Sequence, residues 1–156
     1  MSKSDSKSNR KPIYILDDYF NRRPCSGILV GEGYINVKSY EYNNVLLDIL
    51  VGEQVDGQSL RLVIQGHNRY GGIRLTDVKD VMAIANFAIG HDFFSLNGGA
   101  IVLTAYLNRD EIFPDTISVC MDSMCDLFLK YMTYADSIIA GRSSLDIAEV
   151  IMKSIK

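Results

Sequence analysis

Aromatic and basic side chains alternate along two stretches of the sequence, and this combination suits the binding of unpaired nucleotides. Tyrosine rings stack on unpaired bases, while neighbouring cations contact phosphates. If residues 34–42 form a strand, one face carries Tyr34, Asn36, Lys38, Tyr40 and Tyr42. A second stretch adds Arg61, His67, Arg69, Tyr70 and Arg74, and an earlier loop adds Arg22 and Arg23. The alternative is that the tyrosines pack beneath a helix and the basic residues are only solvated.

The sequence contains no arrangement typical of a catalytic, metal or cofactor site. Residues 27–33 are glycine-rich, but no Gly-Lys-Ser/Thr follows, as a phosphate-binding P-loop requires. There is no G-x-S-x-G nucleophile motif. The two histidines, His67 and His91, are not spaced with the three cysteines as zinc ligands are. The sequence therefore predicts a protein that is not an enzyme and has no metal ion or cofactor.

Composition narrows the class of protein further. A chain of 156 residues with 47% hydrophobic and 22% charged residues is typical of a globular domain. The net charge of -3 counts against general binding of polyanions, and beyond Asp80 acids outnumber bases, so a nucleic-acid surface is expected in the first half. The odd cysteine count and the lack of an apolar leader or membrane span predict a cytoplasmic protein, in the host cytoplasm if viral.

The pattern along the chain predicts an α+β fold, a curved antiparallel β-meander followed by helices. Residues 1–11 read as a basic, Ser/Lys-rich, disordered tail, and residues 12–156 as a single α+β domain. Residues 12–16 are predicted as an edge strand and 17–24 as a loop. Strands are expected at 34–42, 45–51, 60–67 and 73–75, with turns at Asn43-Asn44 and Asp56-Gly57, and another strand at 99–107.

Three helices are expected in the rest of the chain. The first is predicted to start with Thr76 as its cap and to end at Gly90. The second runs from about residue 114 to Gly141. The third begins near Ser143 and presents an apolar stripe that includes Leu145.

The second helix carries a candidate surface for oligomerisation. Apolar residues follow four- and three-residue steps along it: Ile117, Met121, Met124, Phe128, Tyr131, Ala135 and Ile138. Such a stripe either lies on the sheet of its own subunit or contacts another subunit. We expect a homo-oligomer in which Met124, Phe128, Tyr131 and Ile138 form the contact.

Residues 34–88 resemble a known family of nucleic-acid-binding proteins. Four strands followed by Gly72-Ile73-Arg74-Leu75-Thr76 and a helix are similar to the Whirly and transcriptional positive-cofactor group. In those coactivators a glycine-apolar-x-leucine step closes the last strand, and Gly72, Ile73 and Leu75 match it. The chain also resembles the Whirly-like RNA-binding proteins of nucleus-forming jumbo phages, which engage viral transcripts.

The resemblance implies a Whirly-like fold and a non-enzymatic protein that binds single strands as an oligomer, RNA (mRNA) in preference to DNA. The alternative function is that of a viral or cellular structural or assembly protein, of the matrix- or capsid-associated type, without specific nucleic-acid recognition.

Overall fold

Helices and an antiparallel sheet make up the structure, a computed structural model that describes residues 12–71, 74–90, 93–141 and 143–153. The helices are α1 (Pro12–Phe20), α2 (Arg74–Ile89), α3 (Ile117–Ile139) and α4 (Ser144–Lys153), with a 3-10 turn at Arg109–Glu111. The strands are β1 (Gly27–Gly31), β2 (Tyr34–Tyr42), β3 (Val45–Glu53), β4 (Ser59–Gly66), β5 (Phe94–Asn97) and β6 (Ala100–Asn108). They form one sheet in the order β1-β2-β3-β4-β6-β5. The predicted α+β class is confirmed, while the Whirly-like label stays a prediction.

Backbone contacts divide the described chain into two units. The first contains residues 12–63 and 106–122, and the second contains the described residues between 64 and 105 and from 123 onward. Strands β4 and β6 and helix α3 each have residues in both units. The single domain predicted for residues 12–156 stays a prediction, and the predicted tail lies outside the described residues.

The edge strand predicted at residues 12–16 is wrong, because this segment begins helix α1. Proline is well tolerated in the first turn of a helix, where its missing N–H has no intrahelical partner. Ile13, Leu16 and Phe20 recur at helical spacing and are buried. The apolar residues of the short segment 12–16 fit the two-residue period of a strand and also the period of a helix. The burial of Phe20, about one helical turn beyond Leu16, fits only the helix. The predicted loop at 17–24 correspondingly begins only after Phe20.

Strands β1 to β4 follow one another as a four-stranded meander. The turn predicted at Asn43-Asn44 is confirmed, since both residues have the positive φ angles, 48° and 65°, that a tight hairpin turn requires. The glycine-rich segment 27–31 supplies the first strand. The closing strand predicted at 73–75 is wrong where the structure describes it, because Arg74 and Leu75 are the first residues of α2. Residue 73 lies outside the described residues.

A bulge in β2 changes which side chains face the core. Ser39 has a φ of 51°, and the pairing with β3 shifts between Val37 and Tyr40. The extra residue reverses the alternation of side chains, because each strand residue otherwise points to the face opposite its neighbour. Ile35 and Val37 are buried as predicted, but so is Tyr40.

The second unit packs α2 against α4 and against β5. Gly90, with a φ of 82°, ends α2 as predicted. The side-chain amide of Asn86 holds the start of β5, because Nδ2 donates to the Phe94 carbonyl at 2.9 Å and Oδ1 accepts from the Phe94 N–H at 2.8 Å. Phe94 in turn packs on Tyr131, with ring centroids 5.1 Å apart.

The last helix begins as predicted but exposes a different set of residues. Ser143 Oγ accepts from the Asp146 N–H at 3.1 Å and caps α4. Leu145, predicted in the apolar stripe, is exposed, while Ile147 and Ile151 are buried.

None of the helices in the described part of the chain is long and apolar enough to cross a membrane.

Candidate nucleic-acid interface

A groove with a volume of about 1330 Å³ lies in the first unit. Its walls are α1 with the turn that follows it, the loop between β3 and β4, and the segment that joins β6 to α3. Three arginines and two aromatic residues are among its lining side chains: Arg22, Arg23, Arg109, Tyr19 and Phe113. Cations and aromatic rings are the two kinds of group that hold phosphates and unpaired bases.

Arg23 is held in the groove by contacts on two sides. Its guanidinium carbon lies 4.8 Å from the centroid of the Tyr19 ring, within the range of a cation–π interaction. Its Nη2 donates to Ser118 Oγ at 3.2 Å. This bond uses one of the five N–H donors of the guanidinium group. The side chain is thus positioned in advance while donors remain for a bound phosphate.

Arg109 lines the same groove as Arg22 and Arg23, although it is distant from them in sequence. Its backbone N–H donates to the Gln58 carbonyl at 2.8 Å, and Nη1 donates to the Gly57 carbonyl at 3.2 Å. Asn108 starts the 3-10 turn by accepting from the Asp110 N–H at 2.9 Å. These contacts attach Arg109 to the β3–β4 loop and fix its place on the groove wall.

The β3–β4 loop is itself ordered by a carboxylate. Asp56 Oδ1 accepts from the Gln58 N–H at 2.8 Å and from the Ser59 N–H at 3.1 Å. These backbone hydrogen bonds lower the pKa of Asp56, because they stabilise its charged form. The charged Asp56 carboxylate thus holds together the turn of the loop that contacts Arg109.

Phe113 presents an aromatic ring on the groove wall. Its side chain is 54% exposed, so most of the free energy that burial of a phenylalanine would contribute is unused. Its carbonyl accepts from the N–H groups of Thr116 and Ile117 at 3.1 and 3.0 Å, which fixes the backbone just before α3. Because the Tyr19 ring already contacts Arg23, Phe113 is the ring better placed to stack on a base.

Two carboxylates also line the groove, Asp18 and Asp110. With three arginines the local formal charge remains positive, although the whole chain carries -3. Carboxylates repel phosphates but accept hydrogen bonds from hydroxyl and amino groups. The groove therefore combines sites for an anion with acceptors for a sugar hydroxyl or a base.

Part of the predicted β-sheet platform has the expected exposure. Tyr34, Asn36 and Lys38 share the outer face of β2, with Tyr34 39% exposed, Lys38 exposed and Asn36 half-buried. The Tyr34 ring lies over Gly31 of β1, so close that a Cβ atom at position 31 would overlap the ring. The outer face of this strand thus offers a single aromatic ring.

The other three tyrosines predicted in the interface do not provide open rings. Tyr40 and Tyr42 lie beyond the bulge and turn to the inner face, a correction to the predicted alternation. Tyr42 is half-buried, and its hydroxyl donates to the Asp122 carbonyl at 3.3 Å. Tyr70 is buried, and its hydroxyl donates to Asp136 Oδ1 at 2.7 Å.

The remaining predicted basic residues are dispersed along the chain. Arg61 is exposed on β4, and His67 and Arg69 are exposed in the segment after it. Arg69 Nη1 lies 3.5 Å from the Gly66 carbonyl that accepts its hydrogen bond. Arg74 begins α2, and its side chain lies outside what the structure describes.

The oligomer contact predicted on α3 stays a prediction, although its two central residues are already buried within the chain. Phe128 and Tyr131 are buried within the second unit, where the Phe128 ring lies close to Gly66 and Tyr131 packs on Phe94. A side chain already covered by its own chain has little surface left for a second subunit. Met124 is half-buried, and the side chain of Ile138 lies outside the described residues.

Sequence reasoning found Arg22 and Arg23 but missed Tyr19, Arg109 and Phe113. Arg109 is followed by two acidic residues in a turn, and nothing in the neighbouring sequence indicates that it lies near α1. Phe113 is an apolar residue outside any periodic stripe, and that isolation is the signal that could have identified it as exposed.

Within the described part of the chain, no group of three or more His, Cys, Asp or Glu side chains could hold a metal ion. Burial raises the pKa of the Cys120 thiol, which keeps it protonated and weakly nucleophilic at neutral pH.

Comparison with protein-family models, curated proteins and solved structures finds no match to this chain.

Proposed function

We propose that this protein binds single-stranded nucleic acid, RNA in preference to DNA, in the groove lined by Arg22, Arg23 and Arg109. The observation that carries the proposal is that these three arginines share one groove with Tyr19 and Phe113. The site thus differs from the sheet platform predicted by strand alternation, which retains only one exposed tyrosine on β2.

The aromatic groups favour an unpaired strand over a duplex. A base stacks on a side chain only when it is released from its own pair, and each such stack contributes about 1–3 kcal/mol. Phe113 offers an exposed ring for this purpose. Arg23, positioned over Tyr19, would contact the phosphate that accompanies the stacked base.

The carboxylates of the groove favour RNA. A ribose 2′-hydroxyl donates a hydrogen bond, and an aspartate accepts one, whereas deoxyribose has no such donor. Asp110 lies on the groove wall beside Arg109 and is suited to this contact. The Asp110→Ala variant should therefore narrow the difference in affinity between RNA and DNA of the same sequence.

The proposal is tested by titrating the full-length protein into labelled single-stranded RNA, single-stranded DNA and a duplex at two salt concentrations. Three phosphate contacts would give a slope of log affinity against log salt of about -2, since each contact contributes about -0.7 for single strands. Single strands should bind, RNA most tightly, and the duplex weakly. Failure to bind either single strand at the lower salt concentration would reject the proposal and favour a structural or assembly protein.

A further inference from the structure

Strand β1 (Gly27–Gly31) is the terminal strand of the sheet, so within the described part of the chain one of its edges has no neighbouring strand. Its sequence, GILVG, contains no charged residue and no proline. Leu29 is 60% exposed and Val30 is 41% exposed. Natural sheets usually protect their edges with charges, proline or a covering segment, because an unprotected edge is a template for another strand.

We propose that β1 is an interface at which a second copy of this chain adds its own β1, antiparallel, about a two-fold axis through Leu29. A two-fold interface must be complementary to itself, since the same residues contribute from both copies. The strand is symmetric in residue type about Leu29. The pairing therefore sets leucine against leucine, Ile28 against Val30, and Gly27 against Gly31.

The backbone of β1 has the alternation that this register needs. The Glu53 N–H donates to the Gly33 carbonyl at 2.8 Å, so the carbonyl of the residue just before β2 points toward β3. Alternation along β2 then directs the backbone groups of Ile35 toward β3 and those of Asn36 toward β1.

Asn36 stands opposite Leu29 in the β1–β2 register, so Leu29 uses its backbone groups within the chain. Its neighbours Ile28 and Val30 consequently direct their N–H and C=O groups toward the outer edge. In the proposed register these two residues face each other across the axis. Each copy would exchange hydrogen bonds with the other at both pairs.

The outer face adds a complementary pair of groups. Lys38 stands opposite Gly27, and Tyr34 stands opposite Gly31, all on one face. The Tyr34 ring already leans over Gly31 toward the edge of the sheet. The proposed pairing places Gly27 of one copy beside Gly31 of the other. The Lys38 cation of one copy can then extend over Gly27 toward the Tyr34 ring of the second copy, a cation–π contact that the symmetry repeats.

The test is the solution mass of the full-length chain, measured by light scattering or sedimentation over a range of concentrations. The wild type should approach twice its chain mass of 17.4 kDa as concentration rises. Leu29→Lys and Leu29→Glu should each shift the protein to the single-chain mass, because each places like charges opposite each other on the axis. An equimolar mixture of the two variants should recover the doubled mass, since opposite charges then meet.

Leu46→Lys is the matched control, because Leu46 is 46% exposed on β3 and away from the edge, and it should leave the mass unchanged. Circular dichroism checks that each variant is folded. If the charged variants unfold, Leu29→Cys decides, since residues opposite each other on the axis lie about 4.5 Å apart at Cα, within disulfide range. Oxidation should then yield a cross-linked dimer that Leu46→Cys does not form.

Three results would overturn the interface: a wild type of single-chain mass at every concentration, charged variants that keep the doubled mass, or a mixture that stays monomeric. None of these results depends on nucleic-acid binding.

Discussion

The Tyr40 ring meets the Phe20 ring edge to face, with centroids 5.5 Å apart and planes at 88°. This contact joins β2 to α1 inside the first unit, where both side chains are fully buried. Tyr40 therefore stabilises the fold, and α1, which carries Tyr19 and leads into Arg22 and Arg23, depends on it for its position.

Tyr40→Ala should destabilise the protein by about 3–5 kcal/mol, the usual cost of removing a large buried aromatic side chain. Tyr40→Phe should cost less, because it keeps the buried ring and its packing on Phe20 and removes only the hydroxyl group. Urea unfolding measures both. Tyr106→Ala, at a tyrosine that is 63% exposed, is the control and should cost little. A Tyr40→Ala protein as stable as the wild type would place that ring outside the core.

Phe113→Ala should weaken binding of single-stranded RNA by roughly the value of one stack, about 1–3 kcal/mol, with the salt slope unchanged. Stability should change little, because the ring is exposed. Phe113→Tyr should bind as the wild type does, since stacking uses the ring. Fluorescence anisotropy at several salt concentrations separates the two effects. A flatter salt slope with unchanged affinity would contradict the stacking role.

The sequence allowed β2, β3 and β4 of the meander to be predicted, because burial imposes alternation on Ile35, Val37 and their partners, but it did not reveal β1. It did not allow the faces beyond Val37 to be predicted. One residue in a left-handed conformation, Ser39, reverses the alternation, and the sequence carries no glycine there to announce it. Pro12 shows the same limit at a helix start, since five residues of alternating apolar character do not distinguish a strand from one helical turn.

The groove was only partly predictable for a different reason. Arg22 and Arg23 are adjacent in sequence, but Arg109 reaches them through hydrogen bonds to the β3–β4 loop. Contacts between distant segments are set by the packing of the whole chain, and composition or periodicity does not encode them locally.

Tyr70→Phe should destabilise the protein at neutral pH by about 1.5–3 kcal/mol, the value of a hydrogen bond to a charged group. Burial raises the pKa of Tyr70, and the hydrogen bond and negative charge of Asp136 raise it further. The pKa of Tyr70 is therefore higher in the folded than in the unfolded protein, where it is near 10. The stability that the Tyr70 hydroxyl contributes is complete at pH values below the unfolded-state pKa, and it is lost as the pH rises toward the folded-state pKa.

The difference in stability between wild type and Tyr70→Phe should therefore shrink at alkaline pH, as measured by urea unfolding in a pH series. Tyr106→Phe, at an exposed tyrosine, is the control and should show no such difference. A wild-type advantage that stays constant above the unfolded value would show that the Tyr70 hydroxyl titrates normally.

Gly99→Ala should be strongly destabilising, while Gly98→Ala should cost much less. Both glycines have positive φ angles, 82° and 56°, so both substitutions introduce backbone strain of about 1 kcal/mol or more. Only at Gly99 would the added Cβ meet backbone, at 2.5 Å from the Tyr70 carbonyl oxygen. Thermal unfolding of the two variants gives the comparison. Equal losses of stability would show that the segment around Tyr70 moves to accommodate the methyl group.

The most direct test of the central claim compares two variants that each lose two positive charges. Arg22→Ala/Arg109→Ala removes groove cations, and Arg61→Ala/Lys79→Ala removes exposed cations outside the groove. Affinity for labelled single-stranded RNA is measured at a series of salt concentrations. The groove variant should bind more weakly and flatten the salt slope by about 1.4, from two lost phosphate contacts. The other variant should bind as the wild type does. Equal effects of the two variants, or an effect of the second alone, would contradict the groove as the binding site.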